Sequence, residues 1–289
     1  MTNEDYHALD AISPSRLKVL AKSPYHYFDK YLAPDRESQE PTLSMQVGTA
    51  THTQALEPHL WDQTIAIKPD DAPSRPTEKQ LIQPARTGTK AYDAWLKACD
   101  NRDWWQEFDS NNAGKLLLSA KDAAKAKAQA AAILAHPAAS HLLRMDGVRE
   151  PTYTWSDQEF WLMCKSRPDF HTLDRKFVCD IKQTADASED LFSKTISGFD
   201  YHVQAAWNMD AIGAKMFFYI CVESLRANPT TANHCAVAVR PASEAQIDAG
   251  RRRIRSAMET LADCIASGKW PGYGDRILDP IDLPHWNKD

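Results

Sequence analysis

The segment CKSRPDFHTLDRKFVCDIKQTADAS, residues 164–188, sets the carboxylates of Asp169 and Asp180 and the ammonium of Lys182 into a stretch whose apolar and β-branched residues read as strands. Asp180 and Lys182 lie two residues apart, so on a strand they project from one face, with Ile181 on the other. By the same rule Lys165, Arg167 and Asp169 share a face at the end of the preceding strand. The HTLDR turn has the right length for a hairpin, which would bring Asp169 and Asp180 together. Two carboxylates in one pocket raise each other's pKa unless a cation sits between them. Mg²⁺, a hard cation held by carboxylates, phosphate oxygens and water, suits such a place. A lysine beside it can position water and offset charge building on phosphorus. Those parts would perform metal-assisted phosphodiester hydrolysis. The spacing alone equally allows hairpin salt bridges, Asp169 with Arg167 and Asp180 with Lys182.

The elements that must hold these residues are legible around them. ISPSRLKVLAKSPYHYFDKYL opens as a helix with Ser13 at the N-cap, Pro14 in the first turn, and Leu17 and Leu20 on one face. A second helix is predicted from about Met45 to Glu57. Residues 68–90 carry prolines and polar residues without a period and read as a loop or lid. Helix resumes at TKAYDAWLKAC and in the alanine-rich AKDAAKAKAQAAAILAHPAASHLL. After Gly147 the pattern turns to strands, EPTYTW, EFWLMCKSRPDF and KFVCDIKQ. The helix YHVQAAWNMDAIGAK, the strands MFFYICVE and HCAVAVR, and a helix from about Ser243 to Ser267 follow. The expectation is a single α/β domain over residues 1–289. Residues 1–147 form a mainly helical N-terminal elaboration, 148–270 the catalytic core and 271–289 a tail.

Composition narrows the classes. The chain has 289 residues, 43% hydrophobic and 25% charged, as in an ordinary globular protein. Its longest apolar runs are too short to span a bilayer, and MTNEDYHALD is too acidic for a secretory signal, so the expectation is a soluble, cytoplasmic protein. A net charge of −5 does not suggest a nucleic-acid binder, yet local basic patches exist at Lys115, Lys121, Lys125 and Lys127 and at Arg251, Arg252, Arg253 and Arg255. Each patch alone reads as a solvated helix face. Six cysteines form no CxxC pair, which argues against a zinc ribbon, a thioredoxin-type motif and an iron–sulfur cluster; they read as reduced core residues. No Walker motif or GxGxxG is present.

RPD followed by DIK resembles the core of the PD-(D/E)XK nuclease superfamily. GTATH, Gly48 to His52, resembles the GxxxH motif of its RecB-like branch, and QAAWN, Gln204 to Asn208, resembles the QxxxY motif of the helix after the DxK strand. The opening ISPSRLKVLAKSPYHYF, the HVQAAW run and the late WPGY resemble the RecE-type (exodeoxyribonuclease VIII) and lambda-type phage recombination exonucleases. The similarity runs in order over most of the chain.

The resemblance implies a restriction-endonuclease-like core, a mixed β-sheet flanked by helices. It makes Asp169 and Asp180 metal-binding carboxylates, with His52, Glu150 and the Ile181 carbonyl as further ligands. Glu150 reads equally as an ordinary carboxylate at a strand start. Lys182 becomes the catalytic lysine, and Gln204 a residue that steadies the site or contacts DNA. Ser15 and Arg16 would meet a 5′ phosphate, while Lys165 and Arg167 would meet the DNA backbone. Asn208 departs from the pattern, which has an aromatic there. The implied activity is a Mg²⁺-dependent exodeoxyribonuclease, with Mn²⁺ as a substitute ion, that resects linear duplex DNA from the 5′ end. The implied partners are double-stranded DNA ends, a homo-oligomeric ring of three or four copies and a single-strand annealing protein in a phage or prophage setting, with no membrane. Two other readings stand beside it. One is a structure-specific or Cas4-like nuclease, against which the lack of cluster-forming cysteines argues. The other is an inactive nuclease fold serving as a DNA-binding or recombination scaffold.

Overall fold

A computed structural model describes residues 3–36, 40–274 and 277–282. The parts of the tail at 275–276 and 283–289 lie outside the described residues.

The first half is helical: α1 (Asn3–Ala8), α2 (Pro14–Leu20), α3 (Pro24–Tyr31), α4 (Leu43–Leu56) and α5 (Trp61–Thr64), then α6 (Lys90–Asn111), α7 (Ala120–Ala135) and α8 (Pro137–Leu143). The opening segment is two helices because Pro24 has no N–H to continue the first, and Ser23 caps the second by accepting from the His26 amide at 3.3 Å. Pro137 divides the alanine-rich stretch in the same way. Ser13 precedes α2 as expected, but its hydroxyl lies 2.9 Å from that of Ser15 and does not cap the helix. Two short strands, β1 (Ile65–Lys68) and β2 (Leu116–Ser119), pair in parallel across the long excursion between them, a pairing without a sequence signal.

After residue 146 come β3 (Gly147–Arg149), β4 (Tyr153–Ser156), β5 (Met163–Ser166), β6 (Phe170–Thr172), β7 (Phe177–Thr184), β8 (Met216–Ser224) and β9 (Cys235–Pro241). The helices α9 (Glu189–Gly198) and α10 (Tyr201–Ile212) connect β7 to β8, and α11 (Glu244–Ser267) follows β9. The central sheet is mixed, in the order β3-β6-β7-β8-β9, and only β7 and β8 run parallel. EFWLMCKSRPDF is not one strand: β5 pairs with β4 in a separate hairpin, and β6 starts only beyond Pro168. Proline cannot donate to a ladder, so the chain changes sheets there.

Alternation along β7 sends Cys179 and Ile181 to one face and Val178 to the other. The first face packs on Ala55, Leu56, Ala130, Ile133 and Leu143 of α4, α7 and α8, so these helices form one layer over the sheet. The second packs on Phe192, Ala205, Ala206, Met209 and Ile247 of α9, α10 and α11. Each buried Leu, Ile, Phe or Met side chain among these stabilises the sandwich by about 1.5–3 kcal/mol. Gly250 lets α11 approach α10 closely, since a Cβ there would come within 2.3 Å of the His202 carbonyl oxygen. A third cluster, with Ile12, Leu17, Tyr27, Cys164, Trp207 and Leu261, fixes α2, α3 and the β4–β5 hairpin against α10 and α11. Among the described residues no helix is long and apolar enough to cross a membrane.

Candidate active site

β6 covers only the first part of β7: Phe170 pairs with Cys179 and His171 with Val178, and the ladder ends there. The next backbone groups of β7 on that side need other partners. The Ile181 amide donates to Asp169 Oδ2 at 2.6 Å, and the Ile181 carbonyl stands 3.1 Å from His52 Nε2. An unfinished sheet edge thus draws in a carboxylate from the loop before β6 and an imidazole from the middle of α4.

His52 Nδ1 faces the carboxylates, 3.3 Å from Asp169 Oδ2 and 3.8 Å from Glu150 Oε1. Ligand atoms of His52, Glu150 and Asp169 lie within 4.8 Å of one another. Glu150 reaches this point through a left-handed backbone (φ 47°), with its amide donating to the Asp169 carbonyl at 2.9 Å. Arg167 Nε donates to Glu150 Oε2 at 3.0 Å and orients it. Asp180 and Lys182 share the opposite face of β7 from Ile181, as the period of two requires, and form a buried ion pair. Gln204 bridges them: its amide donates to Asp180 Oδ1 at 2.9 Å, and its carbonyl accepts from Lys182 Nζ at 2.8 Å. The Tyr201 ring, one helical turn before Gln204, lies 4.5 Å from Lys182 Nζ.

These contacts set the charges. Burial opposes a charged His52, but Asp169 and Glu150 outweigh it and hold the imidazolium well above its ordinary pKa. Burial and the nearby Asp169 charge push Asp180 up to about 6, against the pull of Lys182. For Asp169 burial is outweighed by His52 and Lys182, and its pKa is lowered. An imidazole nitrogen and two carboxylates converging on one point, already holding a positive charge, fit a divalent cation. Asp180 borders that point but is turned to Lys182 and Gln204.

A family model described as "PDDEXK-like domain of unknown function (DUF3799)" matches residues 13–278. The chain belongs to this PDDEXK-like family. A solved structure of a "Putative exonuclease" from Eubacterium rectale shares the fold over 100% of this chain and 98% of its own, with 12% identity and a TM-score of 0.56. A phage related exonuclease from Haemophilus somnus 129PT aligns over 66% of this chain and 93% of its own at 13% identity, with a TM-score of 0.31. No curated protein matches the chain.

In this PDDEXK-like chain the PD and DxK elements, His52, Glu150 and Gln204 meet at one place. Lys165 does not join them. It is 4% exposed, and its ammonium donates to the carbonyls of Tyr6 and Leu9, each at 2.7 Å, so it ties the end of α1 to β5 and is closed to DNA. The shared face expected for Lys165, Arg167 and Asp169 fails because β5 ends at Ser166. Arg16 is paired with Asp10 at 2.7 Å and lies over the Tyr31 ring, while Ser15 is exposed. Arg251, Arg253 and Arg255 are engaged with Asp210, Asp200 and Glu159. Asn208 is buried, accepting from the Ser166 hydroxyl at 2.8 Å, while Trp207 donates to the Lys165 carbonyl at 2.9 Å. The residue that departs from the family pattern therefore docks α10 on β5 and leaves the carboxylates untouched.

Sequence reasoning missed three contributors. Tyr201 was readable from its position a turn before Gln204. Glu57, at the end of α4, has its pKa raised by burial and by Glu150, with Arg167 opposing. Gln129 joins a buried amide network beside the site and carries no local signal.

Proposed function

We propose that this protein is a Mg²⁺-dependent exodeoxyribonuclease that digests one strand of linear duplex DNA from the 5′ end. The 3′ single-stranded tail that remains would be the substrate of a single-strand annealing protein. The observation that carries this reading is the convergence of His52, Glu150 and Asp169 beside the buried Asp180–Lys182 pair. Membership of a PDDEXK-like family supports it.

His52, Glu150 and Asp169 would hold the cation, with Asp180 and the Ile181 carbonyl as the adjoining oxygen donors. When bound, the cation supplies Lewis-acid activation of the phosphodiester and of the attacking water. Lys182, fixed by Asp180 and Gln204, offers an ammonium donor to charge developing on a phosphate oxygen. Gln204 holds that donor in place, so the ammonium need not reorganise during the reaction. Arg167 keeps Glu150 turned toward His52. A ring of three or four copies around DNA, a phage or prophage origin and action in the cytoplasm belong to the same reading.

The test is digestion of a linear duplex with and without a 5′ phosphate, in Mg²⁺ and in EDTA, beside a covalently closed circle. Mg²⁺-dependent loss of the linear, 5′-phosphorylated duplex is expected, with no loss from Asp180→Ala or Lys182→Ala protein that keeps its fold. Full activity in Asp180→Ala protein would sink the assignment, and cutting of the closed circle would make the enzyme an endonuclease.

A further inference from the structure

The turn between α9 and α10 presents a feature that the hydrolytic site does not use. Phe199 is 56% exposed, and its ring stacks on that of Tyr201, with centroids 5.7 Å apart and planes 22° from parallel. Tyr201 in turn lies against the Lys182 ammonium, so Phe199 stands one aromatic ring away from that lysine. Between the two rings Asp200 adopts a left-handed backbone (φ 53°), a conformation that costs a non-glycine residue free energy, and Arg253 faces its carboxylate at 3.5 Å. Lys18 Nζ donates to the Phe199 carbonyl at 3.1 Å and lies 5.1 Å from the ring centroid. A single exposed aromatic is ordinary on a protein surface. This one is held by a strained turn, flanked by a cation and continuous with the ring against Lys182.

We propose that Phe199 and Tyr201 form a stacking platform for an unpaired nucleobase next to the phosphate acted on at Lys182. The proposal rests on the nuclease reading for the position of that phosphate. A phosphate near Lys182 puts its neighbouring nucleosides within reach of the pair. Every base offers a π-face, so such a platform is tolerant of sequence. The flanking Lys18 suits the anionic backbone of a single strand. An end-resecting enzyme must separate the strand it cuts from its complement, and stacking an unpaired base compensates for the pairing and stacking lost.

The experiment is binding of a single-stranded oligonucleotide carrying 2-aminopurine at its 5′ terminal position, in EDTA so that no cleavage occurs. Fluorescence reports stacking of that base directly. Wild-type protein should change the 2-aminopurine emission on binding. Phe199→Ala should abolish the change and weaken binding about 5- to 150-fold, the equivalent of about 1–3 kcal/mol for one stacked base. Phe199→Trp should restore both. Unchanged affinity and emission in Phe199→Ala overturn the proposal. So does a drop in oligomer size by sedimentation with emission intact, which would make Phe199 a contact between copies. Because the readout needs no catalysis, a protein that stacks the base through Phe199 yet never cuts DNA keeps the platform and loses the nuclease reading. A nuclease indifferent to Phe199→Ala does the reverse.

Discussion

His52 Nδ1 stands 3.3 Å from Asp169 Oδ2, although the imidazole comes from α4 and the carboxylate from the loop before β6. Without a bound ion this contact is an ion pair, since Asp169 and Glu150 overcome burial and raise the imidazole pKa. A cation at the same point must displace the proton. Mn²⁺ affinity is therefore expected to rise as pH increases from 6 to 8, with about one proton released per ion at pH 7. Calorimetry in two buffers of different ionisation enthalpy measures that number. His52→Ala should eliminate the release and weaken binding about 10- to 100-fold. The stability sign follows: a raised imidazole pKa stabilises the fold fully below about pH 6.5 and is lost as pH rises through the folded value. Metal-free protein should accordingly lose thermal stability toward alkaline pH and regain it with Mn²⁺.

The Lys182–Asp180 pair gives a second pH signature. Asp180 titrates at about 6, above its ordinary value, so its ionisation weakens the fold, and that cost grows as pH rises from about 4 through 6. Lys182 limits the cost. Lys182→Met should melt well below wild type at pH 8, by about 3 kcal/mol or more for a broken buried pair, and show a smaller deficit at pH 4, where Asp180 is neutral and only the contacts of Lys182 with Asp169 and Gln204 are lost. Thermal melts of metal-free protein at the two pH values decide it, and an equal deficit at both would place the effect in packing. DNA cleavage by the variant should fall by at least about 100-fold.

The DxK strand was readable because a period of two fixes which side chains project together, and Asp180 and Lys182 do share a face. The hairpin was readable from its turn length, and it leaves Asp169 beside Asp180. The face-sharing rule failed for Lys165 because it holds only within one strand, and Pro168 separates β5 from β6. Lys165 and Arg167 look alike in sequence, yet one is sealed under α1 and the other orients Glu150. Asn208 reads only as a departure from the QxxxY pattern, because its position in a motif is all that the sequence shows. Its burial against Ser166 depends on how α10 crosses β5, which no local pattern encodes. Gln129 is equally silent, one polar residue in an alanine-rich helix.

Lys165 offers a direct test of that distinction. Its ammonium is held by carbonyls at the end of α1, and the Tyr6 ring lies 4.7 Å away. Lys165→Met leaves those carbonyls without their donor, at a cost of about 1–3 kcal/mol. Amide exchange in residues 3–12 should accelerate, while the salt dependence of DNA affinity stays as in wild type. A shallower salt slope, by about one phosphate contact, would return Lys165 to the DNA-binding face.

The last expectation concerns α4, which must hold His52 in place from outside the sheet. Gln129 of α7 accepts from Thr51 at 3.0 Å and from Gln183 at 2.5 Å, and donates to Ser224 at 3.0 Å. Thr51 precedes His52 and Gln183 follows Lys182, so one buried amide couples the two halves of the site. Gln129→Leu removes the acceptor that Thr51 and the half-buried Gln183 share and leaves them only each other. The helix should shift against β7, and a displacement of that size at His52 should lower Mn²⁺ affinity about tenfold. Gln183→Leu should have a similar effect, and the double variant should cost less than the two singles combined because they break one network. Additive losses in metal affinity would mean that Gln129 and Gln183 act separately and that α4 is positioned by its apolar contacts alone.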